Sequence, residues 1–187
     1  MKIDPVKLGN LEVGWWRAHN DQDKPKLAKL LVEQNMLMYG LTQDEAKSAL
    51  GDLIGGVNYH DLREWDKAIK AVTDYYQKIK SKSNLKYDPV IVAKLEVGWW
   101  RLHDELEHNP DKSKLAKAFA KLYSVQFNIE IEKLVKAGKL KAEATNEHDL
   151  AENPNTPKTD IDSHWEKAKQ LLIDFYTELS KQLTGKR

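Results

Sequence analysis

The chain has 187 residues, of which 30 are basic and 29 acidic, giving a formal net charge of +1. That balance excludes a dedicated nucleic-acid binder, which needs a basic stripe against phosphate charge. The absence of cysteine excludes disulfides, thiolate metal sites and cysteine nucleophiles. With 41% apolar and 32% charged residues, the composition is that of a folded, charge-rich helical protein. No run approaches the roughly 18 apolar residues of a membrane span, and Met1 to Pro5 lack the apolar stretch of a signal peptide, so a cytoplasmic location is expected.

The first helix is predicted to start at Asp4, whose carboxylate caps a free backbone N–H, with Pro5 in the first turn where a missing N–H costs nothing. It carries Leu11-Glu12-Val13-Gly14-Trp15-Trp16-Arg17, which recurs unchanged as Leu95-Glu96-Val97-Gly98-Trp99-Trp100-Arg101, and a histidine follows in each copy, His19 and His103. The second copy has the same start, at Asp88 and Pro89. The chain is therefore a duplication. Val92, Leu95, Trp99, Leu102 and Leu106 form one apolar stripe, matched by Leu8, Leu11, Trp15 and Ala18, which assigns the first tryptophan of each pair to the core.

Loops at residues 20–25 and 108–111 end these helices and offer Asp23 and Asp111 as caps for the next ones. The second helices align as Lys-x-Lys-Leu-Ala-Lys, at Lys24 to Lys29 and Lys112 to Lys117. In the first half a third helix is expected from Thr42 with Glu45 in capping-box spacing, stopping at Gly55-Gly56. In the second half the helix is expected to run on through Ile129, Ile131, Leu134 and Val135 to Gly138. Residues 142–160 are polar and proline-broken, and read as a long exposed loop. Asp61 with Glu64 has the spacing of a capping box before the last helix, in which Trp65, Ala68, Val72, Tyr76 and Ile79 match Trp165, Ala168, Leu172, Tyr176 and Leu179. Lys80 to Lys86 reads as the linker.

The predicted fold is all-α, with two tandem homologous halves of three to four helices packed as a pseudo-twofold bundle, residues 1–83 and 84–187. A second stripe beside the core one, Glu12, Trp16, His19 and Asp23 against Glu96, Trp100, His103 and Glu107, also repeats. Three roles compete for it. In the structural one, Trp16 and Trp100 pack on neighbours, His19 and His103 sit at helix C-termini, and Gly14 and Gly98 let the two motif helices cross. In the second, Glu12, His19, Glu96 and His103 hold iron, manganese or zinc across the pseudo-dyad, although Glu12 and His19 are roughly 10 Å apart along the helix. In the third, Glu12, Trp16, Arg17, His19, Glu96, Trp100, Arg101 and His103 form a binding face for a protein or small ligand, the arginines serving as carboxylate-directed donors.

No phosphate loop, nucleophile elbow or His-Glu-x-x-His helix occurs. The expectation is a non-catalytic interaction module with no cofactor, no nucleic-acid partner and no membrane association; the alternative is the metal or cofactor bundle, with redox or hydrolytic chemistry. The two differ in one respect. The module leaves Trp16 and Trp100 at least partly exposed and holds no metal, whereas the bundle buries its four polar residues facing one another.

Overall fold

The computed structural model describes residues 2–107 and 109–185, and His108, expected in the second loop, lies outside them. The described residues form eight α-helices and no strand: α1 Pro5–Asn20, α2 Lys24–Tyr39, α3 Gln43–Asp61, α4 Trp65–Lys82, α5 Pro89–Leu106, α6 Ser113–Phe127, α7 Val135–Glu152 and α8 Lys158–Thr184, with a short 3-10 turn at Ile131–Leu134. Among them no helix is long and apolar enough to cross a membrane. Four of the expected helix starts hold. Asp4 accepts from the Lys7 N–H, Asp23 from Lys26, Asp88 from Val90, and Thr42 and Glu45 complete a reciprocal capping box.

Each helix packs on the next in sequence, and α8 closes back on α1. Two of these contacts join the repeats, α1 with α8 and α4 with α5, so the first helix of each repeat lies against the last helix of the other. The stripes that make these contacts are fully buried: Leu8 on α1, Val72 and Ile79 on α4, Val92 on α5, Leu172 and Leu179 on α8. Burying a leucine or isoleucine side chain is worth about 1.5–3 kcal/mol, so these seams hold the ring of helices closed.

Several boundaries differ from the sequence expectation. α3 does not stop at Gly55-Gly56 but continues to Asp61; Gly56 is there for a close approach, since a Cβ would come within 2.6 Å of Val72 Cγ2 on α4. Asp61 is consequently the last residue of α3 rather than a cap, and α4 starts after Glu64 without a side-chain cap. The second half does not run on to Gly138. Asn128 ends α6 in the left-handed region at φ 52°, as Gly40 ends α2 at φ 71°, so the two halves break at the same place.

The 142–160 loop is the largest correction. Residues 142–152 belong to α7, and only 153–157 connect it to α8. The buried face of α7 is made of Ala137, Ala142, Ala144 and Ala151 with Lys141 and Thr145, side chains too small or too polar to show an apolar period. α4 likewise extends to Lys82, shortening the expected linker. Lys112 rather than Asp111 precedes α6, although the Asp111 carboxylate still accepts from the Ser113 N–H at 2.9 Å.

The motif helices do not cross at their glycines. A Cβ on Gly98 would meet nothing within 4 Å, and one on Gly14 would touch only the Leu30 side chain at 3.3 Å. α1 is instead approached at Gly9, where a Cβ would lie 2.9 Å from the Ile173 backbone nitrogen.

Candidate functional site

The repeated stripe turns inward at Glu12 and Trp16, because α1 is wedged between α2 and α8, and reaches solvent at His19, Asp23 and Glu107. Trp16 is buried, at 8% exposure, while Trp15 is half-buried, which reverses the expected order in the first pair; Trp99 and Trp100 are both half-buried, so the exposure expected of an interaction module is met at Trp100 and not at Trp16. Glu12 is buried, Glu96 and His103 are partly so, and His19, Arg17 and Arg101 are exposed. The four polar residues of the metal alternative are thus not buried together.

Each glutamate meets a tyrosine of the other repeat. Tyr176 on α8 donates to Glu12 Oε2 at 2.6 Å, and Tyr76 on α4 donates to Glu96 Oε2 at 2.9 Å. The surroundings then diverge. Lys141 on α7 pairs with Glu12 Oε1, and the network continues outward as Gln34 donates to the Tyr176 hydroxyl at 2.8 Å and the Trp15 indole donates to Gln34 at 2.7 Å. For Glu96, burial pushes the carboxyl above its usual range, against the hydrogen bond from Tyr76 and the more distant charge of Lys141.

All six tryptophans lie at one end of the bundle, where α1, α3, α5 and α7 finish and α4 and α8 begin. Their rings form a continuous chain with three histidines. Trp15 meets Trp16, which meets His148 at 4.9 Å; His148 meets Trp165 at 5.6 Å and His103 at 6.2 Å. His103 meets Trp99 at 6.4 Å, Trp99 meets Trp100, and His60 lies 5.6 Å from Trp100 and 5.3 Å from Trp65.

Two groups within this chain have the same composition. His148 sits between Trp16 and Trp165, with the Arg17 guanidinium 5.7 Å over Trp165; His60 sits between Trp100 and Trp65, with Arg101 4.7 Å over Trp65. Each group takes its arginine and one tryptophan from one repeat, and its histidine and other tryptophan from the other. A guanidinium over a ring face is held by the ring's quadrupole, and both arginine residues remain exposed to solvent. Arg17 makes a long 3.4 Å contact with the exposed Asp162.

Where the two groups adjoin, His103 Nε2 lies 2.8 Å and His148 Nδ1 3.2 Å from the same oxygen, Asp149 Oδ1. The other oxygen is 2.7 Å from the buried Lys112 ammonium, which also donates to the carbonyls of Leu106 and Glu107 at the end of α5. His148 Nε2 lies 3.1 Å from Glu152. Burial works against a charged His148, but Asp149 and Glu152 outweigh it and raise its pKa to about 9. Burial acts in the same sense against the Asp149 carboxylate, and there His103, His148 and Lys112 prevail, holding it well below the usual carboxylate range.

His60 and His148 show no recognisable ligand spacing in the sequence, and Asp149 falls in the expected loop, yet a signal is present. Asn58-Tyr59-His60-Asp61-Leu62-Arg63-Glu64 matches Asn146-Glu147-His148-Asp149-Leu150-Ala151-Glu152 at five of seven positions. The extra residues 153–164 before Trp165 shift this second repeat out of register with Trp65 and conceal it. No family model, no curated protein and no solved structure matches the chain.

Proposed function

We propose that the protein is a non-catalytic binding module, built as a pseudo-twofold bundle of two repeats, that takes an acidic group of a protein or small ligand at its tryptophan-rich end. The observation that carries this reading is the recurrence of one constellation, arginine on tryptophan beside histidine between two tryptophans, assembled twice from both repeats. A bundle core needs the tryptophans; it does not need an exposed arginine on each. A guanidinium already held over a ring loses less freedom when it binds a carboxylate through two parallel hydrogen bonds. The exchange of α1 and α8, and of α5 and α4, between repeats supports the pseudo-twofold arrangement and accounts for both constellations at one end.

The test is a titration of the full chain with hexaglutamate, followed by tryptophan emission, which this clustering makes a local reporter. The expected result is a saturable change that weakens with salt and at least tenfold in Arg17→Ala/Arg101→Ala, with no change for hexalysine. No saturable change, or one that the double variant retains, would contradict the reading.

A further inference from the structure

The junction between the two arginine constellations has a chemistry that acidic-group binding does not use. His103, His148 and Asp149 each offer one ligand atom, and the three atoms lie within 4.8 Å of one another. We propose that His103 Nε2, His148 Nδ1 and Asp149 Oδ1 bind a divalent transition-metal ion at the end of the bundle.

The spacing fits first. Ligand atoms about 2.0 Å from a tetrahedral ion are about 3.3 Å from each other. Both imidazole nitrogens already aim at Oδ1, at 2.8 and 3.2 Å, so a small shift of rings admits an ion among them. The outer contacts fit as well. A metal-ligating histidine characteristically gives its second nitrogen to a carboxylate, and His148 Nε2 is 3.1 Å from Glu152. Lys112 holds Oδ2 at 2.7 Å, which leaves Asp149 a one-oxygen ligand with a fixed orientation.

Charge and access agree. Asp149 and Glu152 bring two negative charges and Lys112 one positive, so once the incoming ion has displaced the proton these carboxylates hold on His148, the ligand set carries a net charge of −1, which favours a cation but is too small for calcium or magnesium, ions that want several oxygens. Two imidazoles and one carboxylate suit zinc, ferrous iron or manganese, with coordination positions left open. A cleft of about 390 Å³, lined by Asp149, Asn146, Leu150, Pro110, Asn153 and Asn155, reaches the site at Asp149.

The duplication adds an independent argument. The first repeat has the same three residues, His19, His60 and Asp61. There they are apart: His19 is exposed, and His60 Nδ1 is 3.5 Å from Asp61 while its Nε2 is 3.2 Å from Asp104. One helical repeat thus carries the triad assembled and the other dispersed, and a stoichiometry of one follows.

The experiment is equilibrium dialysis of the full, tag-free chain against zinc(II) at pH 8 with elemental analysis, and cobalt(II) as a spectroscopic substitute. The expected result is one ion per chain, visible d–d bands with cobalt, and at least tenfold weaker binding in Asp149→Asn and in His103→Gln. His164→Ala, which alters a histidine paired with Glu147 at 2.7 Å, should bind as tightly as the parent chain. Circular dichroism in chelator separates lost binding from lost folding, and His103→Gln, on a partly exposed side chain, decides the matter where Asp149→Asn does not fold. A folded parent chain that retains no zinc, or folded variants that retain it undiminished, would overturn the proposal. Neither result bears on hexaglutamate binding through Arg17 and Arg101.

Discussion

The Tyr176 hydroxyl reaches the Glu12 carboxylate at 2.6 Å across 164 residues of sequence, the longest-range hydrogen bond described in the molecule. It joins the last helix to the first, at the seam where the ring of helices closes. A hydrogen bond to a charged group is worth about 1.5–3 kcal/mol, so Tyr176→Phe should lower unfolding free energy by about 2 kcal/mol in urea denaturation. In the Glu12→Gln background the same substitution should cost clearly less. Equal losses in both backgrounds would mean that the two side chains do not interact.

The Lys141 ammonium sits on the other oxygen of Glu12, and both side chains are 5% exposed. Removing one partner of a buried pair costs about 3–5 kcal/mol, because the remaining charge is left without compensation, whereas replacing both with neutral groups costs far less. Lys141→Met alone should therefore be severely destabilising, and Lys141→Met/Glu12→Gln should recover most of the loss. Additive losses in equilibrium unfolding would contradict the pairing.

Glu96 gives a pH dependence of defined sign. Burial raises its folded pKa above the unfolded value of about 4.5, so the folded state holds this proton more tightly. Its contribution to stability is fully present below pH 4.5 and is lost as pH rises through the raised folded value. Glu96→Gln keeps an oxygen to accept from Tyr76 and removes the ionisation, so it should be more stable than the parent at pH 8 and flatten the decline as pH rises above 4.5. A steeper decline, or a loss of stability at pH 8, would sink this account.

Two glycines of the motif helices, Gly98 on α5 and Gly9 on α1, should respond with opposite signs to alanine. Gly98 faces open space on the surface of α5, where Gly98→Ala removes backbone freedom from the unfolded chain and should stabilise by about 0.5–1 kcal/mol. At Gly9 the new methyl would meet the Ile173 backbone, and Gly9→Ala should instead destabilise by about 1–3 kcal/mol. Thermal unfolding of the two variants side by side checks both signs.

The helix starts were legible because capping is local: Asp4, Asp23, Asp88 and the Thr42–Glu45 pair act within three residues of themselves. α7 was not legible, since Ala142, Ala144 and Ala151 bury a face without leaving an apolar period, and the flanking Asn153 to Pro157 biased the reading toward a loop. The assignment of Trp15 rather than Trp16 to the interior failed for a tertiary reason. A helix packed between two others buries parts of both stripes, and spacing along one helix cannot report how many neighbours it has. The His103–Asp149 contact spans 46 residues and two helices. Only the repeat of His60-Asp61 in His148-Asp149 hinted at it.

The most direct test of the binding end is the set of six indole N–H resonances in a proton–nitrogen-15 correlation spectrum, one for each tryptophan. With hexaglutamate added, the account predicts shifts for Trp65 and Trp165, the rings beneath Arg101 and Arg17, and none for Trp15, whose N–H is hydrogen-bonded to Gln34. Six unchanged indole resonances at saturating peptide, or shifts that persist in Arg17→Ala/Arg101→Ala, would contradict it.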